Sequence, residues 1–106
     1  MSRAETILFG LVKRFCAQEA AGVDATYQLN LTGDEGGQWY LSVSDGKCSA
    51  DAGISAHPDV TITITADDWV DLLSGKLDGY TAFLQGRVEV QGDLSLALRL
   101  QSMFGF

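Results

Sequence analysis

The sequence is poor in the residues that carry most protein chemistry, with one His, one Pro and two Cys among 106 residues. The single imidazole, His57, has no second one with which to share a metal or relay a proton. It precedes Pro58 in a stretch without periodic pattern, and reads as a solvent-facing loop histidine. Cys16 and Cys48 are too few for a disulfide framework and are not spaced as zinc ligands. They read as buried small hydrophobes in a reducing compartment. Basic residues are scarce as well: 7 Lys and Arg stand against 14 Asp and Glu, a net charge of -7, with no basic cluster. That excludes nucleic acid as a partner, because phosphate binding needs grouped cations. It also disfavours firm adsorption to an anionic bilayer. No apolar run approaches the roughly 20 residues of a membrane span. Charges throughout Ser2 to Gln18 leave no room for a secretory signal. The expectation is a cytoplasmic protein.

What is present is enough apolar material, 46% of the chain, to build a core over residues 1–106 as one domain. Ser2-Arg3-Ala4-Glu5 is a capping-box pattern, and Ile7, Leu8, Leu11, Val12, Phe15 and Cys16 follow at helical spacing. This predicts a helix running to about Ala20 and ending at Gly22. Three stretches then alternate apolar and polar residues: Thr26 to Thr32, Gln38 to Ser44 and Lys47 to Ala52. Period-two alternation predicts antiparallel strands with one wet face. The intervening Gly33-Asp34-Glu35-Gly36-Gly37 and Asp45-Gly46 are hairpin loops, and the first joins two strands, so it is no phosphate cradle. After a connector, Gly53 to Asp59, the β-branched run Val60 to Thr65 predicts a fourth strand. Thr65 then caps a helix with Asp67 and Asp68 in its first turn, Trp69, Leu72 and Leu73 on its buried side, and Gly75 as its stop. Residues 80–85 predict a further helical turn, and Arg87 to Gln91 a fifth strand.

Residues 94–101 alternate strictly, as a strand would, but contain Leu, Ala, Arg and Gln and no β-branched residue. With Asp93 as cap, they predict a helix. Ser95, Arg99 and Ser102 make its polar stripe, leaving an apolar arc of roughly 220° interrupted only by Gln101. One sheet covers about half that width, so a second apolar neighbour is required: other helices, a ligand or another subunit.

In order and spacing, residues 58–104 resemble a known family. The run is Pro58 to Thr65, Trp69 to Leu73, Ser74-Gly75-Lys76-Leu77, Ala82 to Val90, Gly92-Asp93 and Leu96 to Leu100. It is similar to the sterol-carrier-protein-2 (SCP2) sterol-transfer domain; the N-terminal half fits the same layout more loosely. The resemblance implies an α+β fold, a five-stranded, mainly antiparallel sheet in the order 3-2-1-4-5, covered on one face by helices, with a crossover after the third strand. It also implies an apolar guest (sterol, fatty acyl or isoprenoid and quinone type) held between sheet and helices. By position, Phe83, Leu84, Leu96, Leu100, Met103 and Phe104 are its wall candidates. The short C-terminus, Met103 to Phe106, has no Ser-Lys-Leu address, which favours a stand-alone bacterial-type version.

The aromatic residues Trp39, Trp69, Tyr80, Phe83 and Phe104, with Leu73 beside them, serve equally well as core or as cavity lining. A pocket of several hundred Å³ would cost several kcal/mol if left empty, so such a protein should carry a guest. Gln85 and Gln101 are candidates for orienting the guest's polar end. No nucleophile has a base beside it, and Asp67, Asp68 and Asp71 lack a calcium-loop pattern. The expected function is carriage of a lipid-like small molecule, with no catalysis, no metal and no cofactor, and with transient membrane contact. The alternative is a scaffold or interaction module in a lipid-related pathway, a homodimer or partnered complex joined through the last helix and Phe106.

Overall fold

The computed structural model describes residue 10 and residues 12–34 and 36–104. The capping box at Ser2, the apolar positions Ile7, Leu8 and Leu11, and Phe106 lie outside the described residues. Strands β1 (Ala25–Thr32), β2 (Gly37–Ser44), β3 (Lys47–Ala52) and β4 (Val60–Thr65) are followed by helices α1 (Ala66–Leu73) and α2 (Gly79–Leu84). Strand β5 (Val88–Gly92) and helix α3 (Leu94–Phe104) complete the order. The strands form one mixed sheet, β3-β2-β1-β4-β5. Its central pair, β1 with β4, is parallel, and the other three pairs are antiparallel.

Strand alternation sets the inside of the molecule. Tyr27, Leu29 and Leu31 of β1, Trp39, Leu41 and Val43 of β2, and Val60, Ile62 and Ile64 of β4 are all buried. Helices cover that face: α1 packs on β4 and β1, α2 on β5, and α3 on β4 and β5. The β2–β3 turn is Asp45-Gly46, with φ of 52° and 71°, the left-handed pair that a two-residue hairpin demands. At the other end of the sheet, Gly92 has φ 103° and lies where a Cβ would strike the carbonyl oxygen of Asp59.

Three expectations need correction. The helix predicted to reach Ala20 is helical at residues 10 and 12–13 among those described, and turns occupy 17–22. The N–H of Cys16 leaves the helical ladder to donate to the carbonyl of Met103 at 2.7 Å, and Glu19, Ala20 and Ala21 make bonds back by three residues. Cys16 and Cys48 are half-buried rather than buried. Finally, the outer face of β1 is not wholly wet. Gln28, 3% exposed, receives the N–H of Ser55 at 2.7 Å and donates to the carbonyls of Trp39 at 3.2 Å and Gly53 at 3.1 Å. The β3–β4 connector is thereby pinned across the sheet face opposite the helices.

Candidate functional site

Three capped helices frame a gap over the β4–β5 end of the sheet. Thr65 Oγ1 accepts the N–H of Asp68 at 3.1 Å and starts α1 directly from the end of β4. Asp78 caps α2 through the N–H of Thr81 at 2.9 Å, and Asp93 caps α3 through the N–H of Ser95 at 2.9 Å. Between these helices lies a cleft of about 160 Å³, open on one side. Its floor is Ile62, Ile64, Val88 and Val90 of the sheet, and its walls are Trp69 and Leu72 of α1, Gly79, Tyr80 and Phe83 of α2, and Leu94, Ala97, Leu98 and Leu100 of α3. Only Trp69 and Tyr80 among these lining side chains carry a polar atom.

The mouth is marked by large apolar side chains open to solvent: Tyr80, Phe83, Leu94 and Leu98 are 42–62% exposed. At 100° per residue, Leu98 points roughly 140° away from Met103 around α3. Met103 and Phe104 are fully buried, the latter with its ring centroid 5.5 Å from that of Phe15. The wide apolar arc of α3 thus has two neighbours, the core on one side and the cleft on the other.

Of the candidates drawn from sequence, the structure brings Trp69, Tyr80, Phe83 and Leu100 together around this cleft. Trp39, Leu73, Met103 and Phe104 belong to the core instead. Leu96 is half-buried, with its carbonyl accepting the Tyr27 hydroxyl at 2.9 Å. Leu84, 66% exposed, and Gln85, which lies 3.4 Å from Arg87 Nη1, do not line the cleft. The Gln101 side chain is outside what the structure describes. Sequence reasoning passed over Ile62, Ile64, Leu72, Gly79, Val88, Val90, Leu94, Ala97 and Leu98. Strand parity held the signal for the floor, and the half of the α3 arc opposite Met103 held it for Leu94 and Leu98.

Charge sits at the edge of the site rather than in it. Arg87 grips Asp68 through Nη2 at 2.5 Å and Nε at 3.3 Å, and this hydrogen bonding holds the Asp68 carboxyl below its ordinary value and raises Arg87 further. Among the described residues, no group of three or more His, Cys, Asp or Glu is placed to hold a metal. None of the described helices is long and apolar enough to cross a membrane.

The profile of the SCP-2 sterol transfer family matches residues 10–105. The chain belongs to that family. Hydroxysteroid dehydrogenase-like protein 2 of Mus musculus is 33% identical over 97 residues, 90% of this SCP-2 chain and 20% of its own length. The chain thus spans about a fifth of the length of the curated relatives it matches. Among solved structures, palmitated SCP2L2 of Aedes aegypti shares the SCP-2 fold with a TM-score of 0.78 at 32% identity, covering 100% of this chain and 96% of that one. The inverting sec-alkylsulfatase Pisa1 of Pseudomonas sp. has a TM-score of 0.74 at 27% identity, covering 90% of this chain and 14% of the sulfatase. Membership places the chain among lipid-binding domains.

Proposed function

We propose that the protein, as a single domain over residues 1–106, binds and carries the apolar part of a lipid-like guest in the cleft between α1, α2, α3 and the β4–β5 floor, and performs no reaction on it. One observation supports this above the others. The cleft is lined by apolar side chains, and Tyr80, Phe83, Leu94 and Leu98 at its mouth remain 42–62% exposed. Exposed apolar surface gathered around a concavity is what a guest or a lipid surface covers. Each buried CH₂ of the guest contributes about 0.8 kcal/mol. A dry void of about 160 Å³ would cost at most about 4 kcal/mol, which the guest offsets. The space, about 160 Å³, is smaller than the several hundred Å³ that sequence allowed for, and suits one acyl or isoprenoid segment better than a whole sterol. Trp69, Tyr80, Phe83 and Leu100 are the proposed contacts from the sequence reading, joined by Leu94 and Leu98. A cytoplasmic location goes with this reading.

Native mass spectrometry of the full chain, followed by solvent extraction, tests it. A co-purifying lipid at near-stoichiometric amount, or saturable quenching of tryptophan emission by added lipid, is the expected result. A protein that purifies empty and responds to no lipid overturns it. A second reading has its own support: the matched region is a small part of larger chains in both Mus musculus and Pseudomonas sp.. In that reading the domain is a scaffold or docking module, and an empty protein that self-associates through α3 is the outcome that favours it.

A further inference from the structure

The lining of the cleft divides by exposure. Ile64, Trp69 and Leu100 are 1–3% exposed and belong to the hydrophobic core, whereas Tyr80, Phe83, Leu94 and Leu98 stand half in solvent at the mouth. The same core continues through Tyr27, Leu29, Met103 and Phe104, all 0% exposed. The cleft therefore has a closed end and an open one. Its α3 wall is fastened to the rest of the chain. The Tyr27 hydroxyl donates to the carbonyl of Leu96 at 2.9 Å, the Cys16 N–H to that of Met103 at 2.7 Å, and Arg99 Nη2 to that of Glu19 at 2.8 Å. Helix α2 is held more lightly, with Ala82 as its one buried residue. Added room thus lies at the mouth, where a guest meets Tyr80 and Phe83 on one side and water on the other.

We infer that the cleft grips only the terminal segment of its guest, about six carbons of an apolar tail, and leaves the rest of the molecule outside the protein. The inference rests on the reading that an apolar guest occupies this cleft. The length follows from the space of about 160 Å³, since a dry apolar cavity of about 150 Å³ holds one benzene. No lining side chain is charged, so it is the apolar end that enters. A lipid held in this way is recognised by its tail end and presented at the surface rather than engulfed. Guests that share a tail end and differ farther along bind alike.

A series of 1-alkanols from butanol to dodecanol, titrated into the full chain and followed by calorimetry and by the amide NMR shifts of Gly79, Ala97 and Leu98, decides it. Affinity should rise roughly fourfold per added CH₂ as far as about hexanol, and about twofold or less per CH₂ beyond it. The slope falls because carbons past the mouth are covered on one side only. In Ala97→Leu, which keeps a strong helix former while filling part of the cleft, the break should move to a shorter alcohol. A rise of roughly fourfold per CH₂ that continues unbroken to dodecanol would overturn the inference, and so would a break that does not move in the folded variant. Either result leaves the carrier reading standing. The wild-type series decides by itself where the variant does not fold. Binding of no alcohol removes both.

Discussion

Tyr27, fully buried in the central strand, donates its hydroxyl to the carbonyl oxygen of Leu96 in the first turn of α3 at 2.9 Å. This bond fixes the near end of α3 to the sheet while Leu98, on the next turn, stands open at the cleft. Burial outweighs the opposing Arg99 guanidinium and, with Asp59 and Asp93 adding, pushes the phenol from 10.0 up to about 12. The protonated form is therefore the one the fold favours. Its contribution is complete below pH 10.0 and lost as pH rises through about 12. Urea unfolding should show a loss of roughly 2–3 kcal/mol across that window. Tyr27→Phe should cost about 1 kcal/mol at neutral pH and abolish most of the alkaline slope.

The two sides of α3 should respond differently to substitution. Leu98 is 56% exposed, so Leu98→Glu should shift stability by less than about 0.5 kcal/mol while lowering lipid affinity at least roughly tenfold. Leu100 is 3% exposed, and Leu100→Ala should cost about 2–4 kcal/mol. Thermal melts paired with a lipid titration separate these effects.

Gln28→Leu should be among the more damaging polar substitutions. It removes the side chain that bonds Trp39 O, Gly53 O and the Ser55 N–H, a loss of roughly 2–4 kcal/mol. Limited proteolysis should then cut within residues 53–59 before any other described segment.

Cys48 should behave as a sluggish thiol. Burial pushes it from 9.0 up to about 11, which lowers its thiolate fraction at neutral pH roughly hundredfold. In a Cys16→Ser background, disulfide-exchange reagents should label Cys48 slowly in the folded protein and rapidly in denaturant.

Much of the fold was legible because its signals are local. Alternation in 25–32, 37–44 and 60–65, the caps at Thr65 and Asp93, and the Asp45-Gly46 turn each act within a few residues. The strand order followed from the family likeness. What escaped depends on distant partners. Nothing near Cys16 signals that its N–H belongs to Met103, and nothing near Gln28 marks it as the fastening for a connector 25 residues on. The site was legible in part for a similar reason. Aromatic residues attract attention by size, yet Trp39 and Phe104 fill the core, while Leu94, Leu98 and Val90 border the cleft. Hydrophobicity identifies what avoids water but not which apolar neighbour it meets.

The parallel pairing of β1 with β4 has a consequence for biosynthesis. The meander of β1, β2 and β3 leaves the ribosome with its greasy side bare, and the residues that shelter it come late: β4, then Met103 and Phe104 of α3, whose carbonyl and ring also secure Cys16 and Phe15. A nascent chain arrested before residue 60 is a sticky half-sheet with an open central edge, and one arrested before residue 103 still lacks Met103 and Phe104 of its core. Folding of this domain is a post-emergence event, and truncation at α3 should yield aggregate rather than a smaller protein.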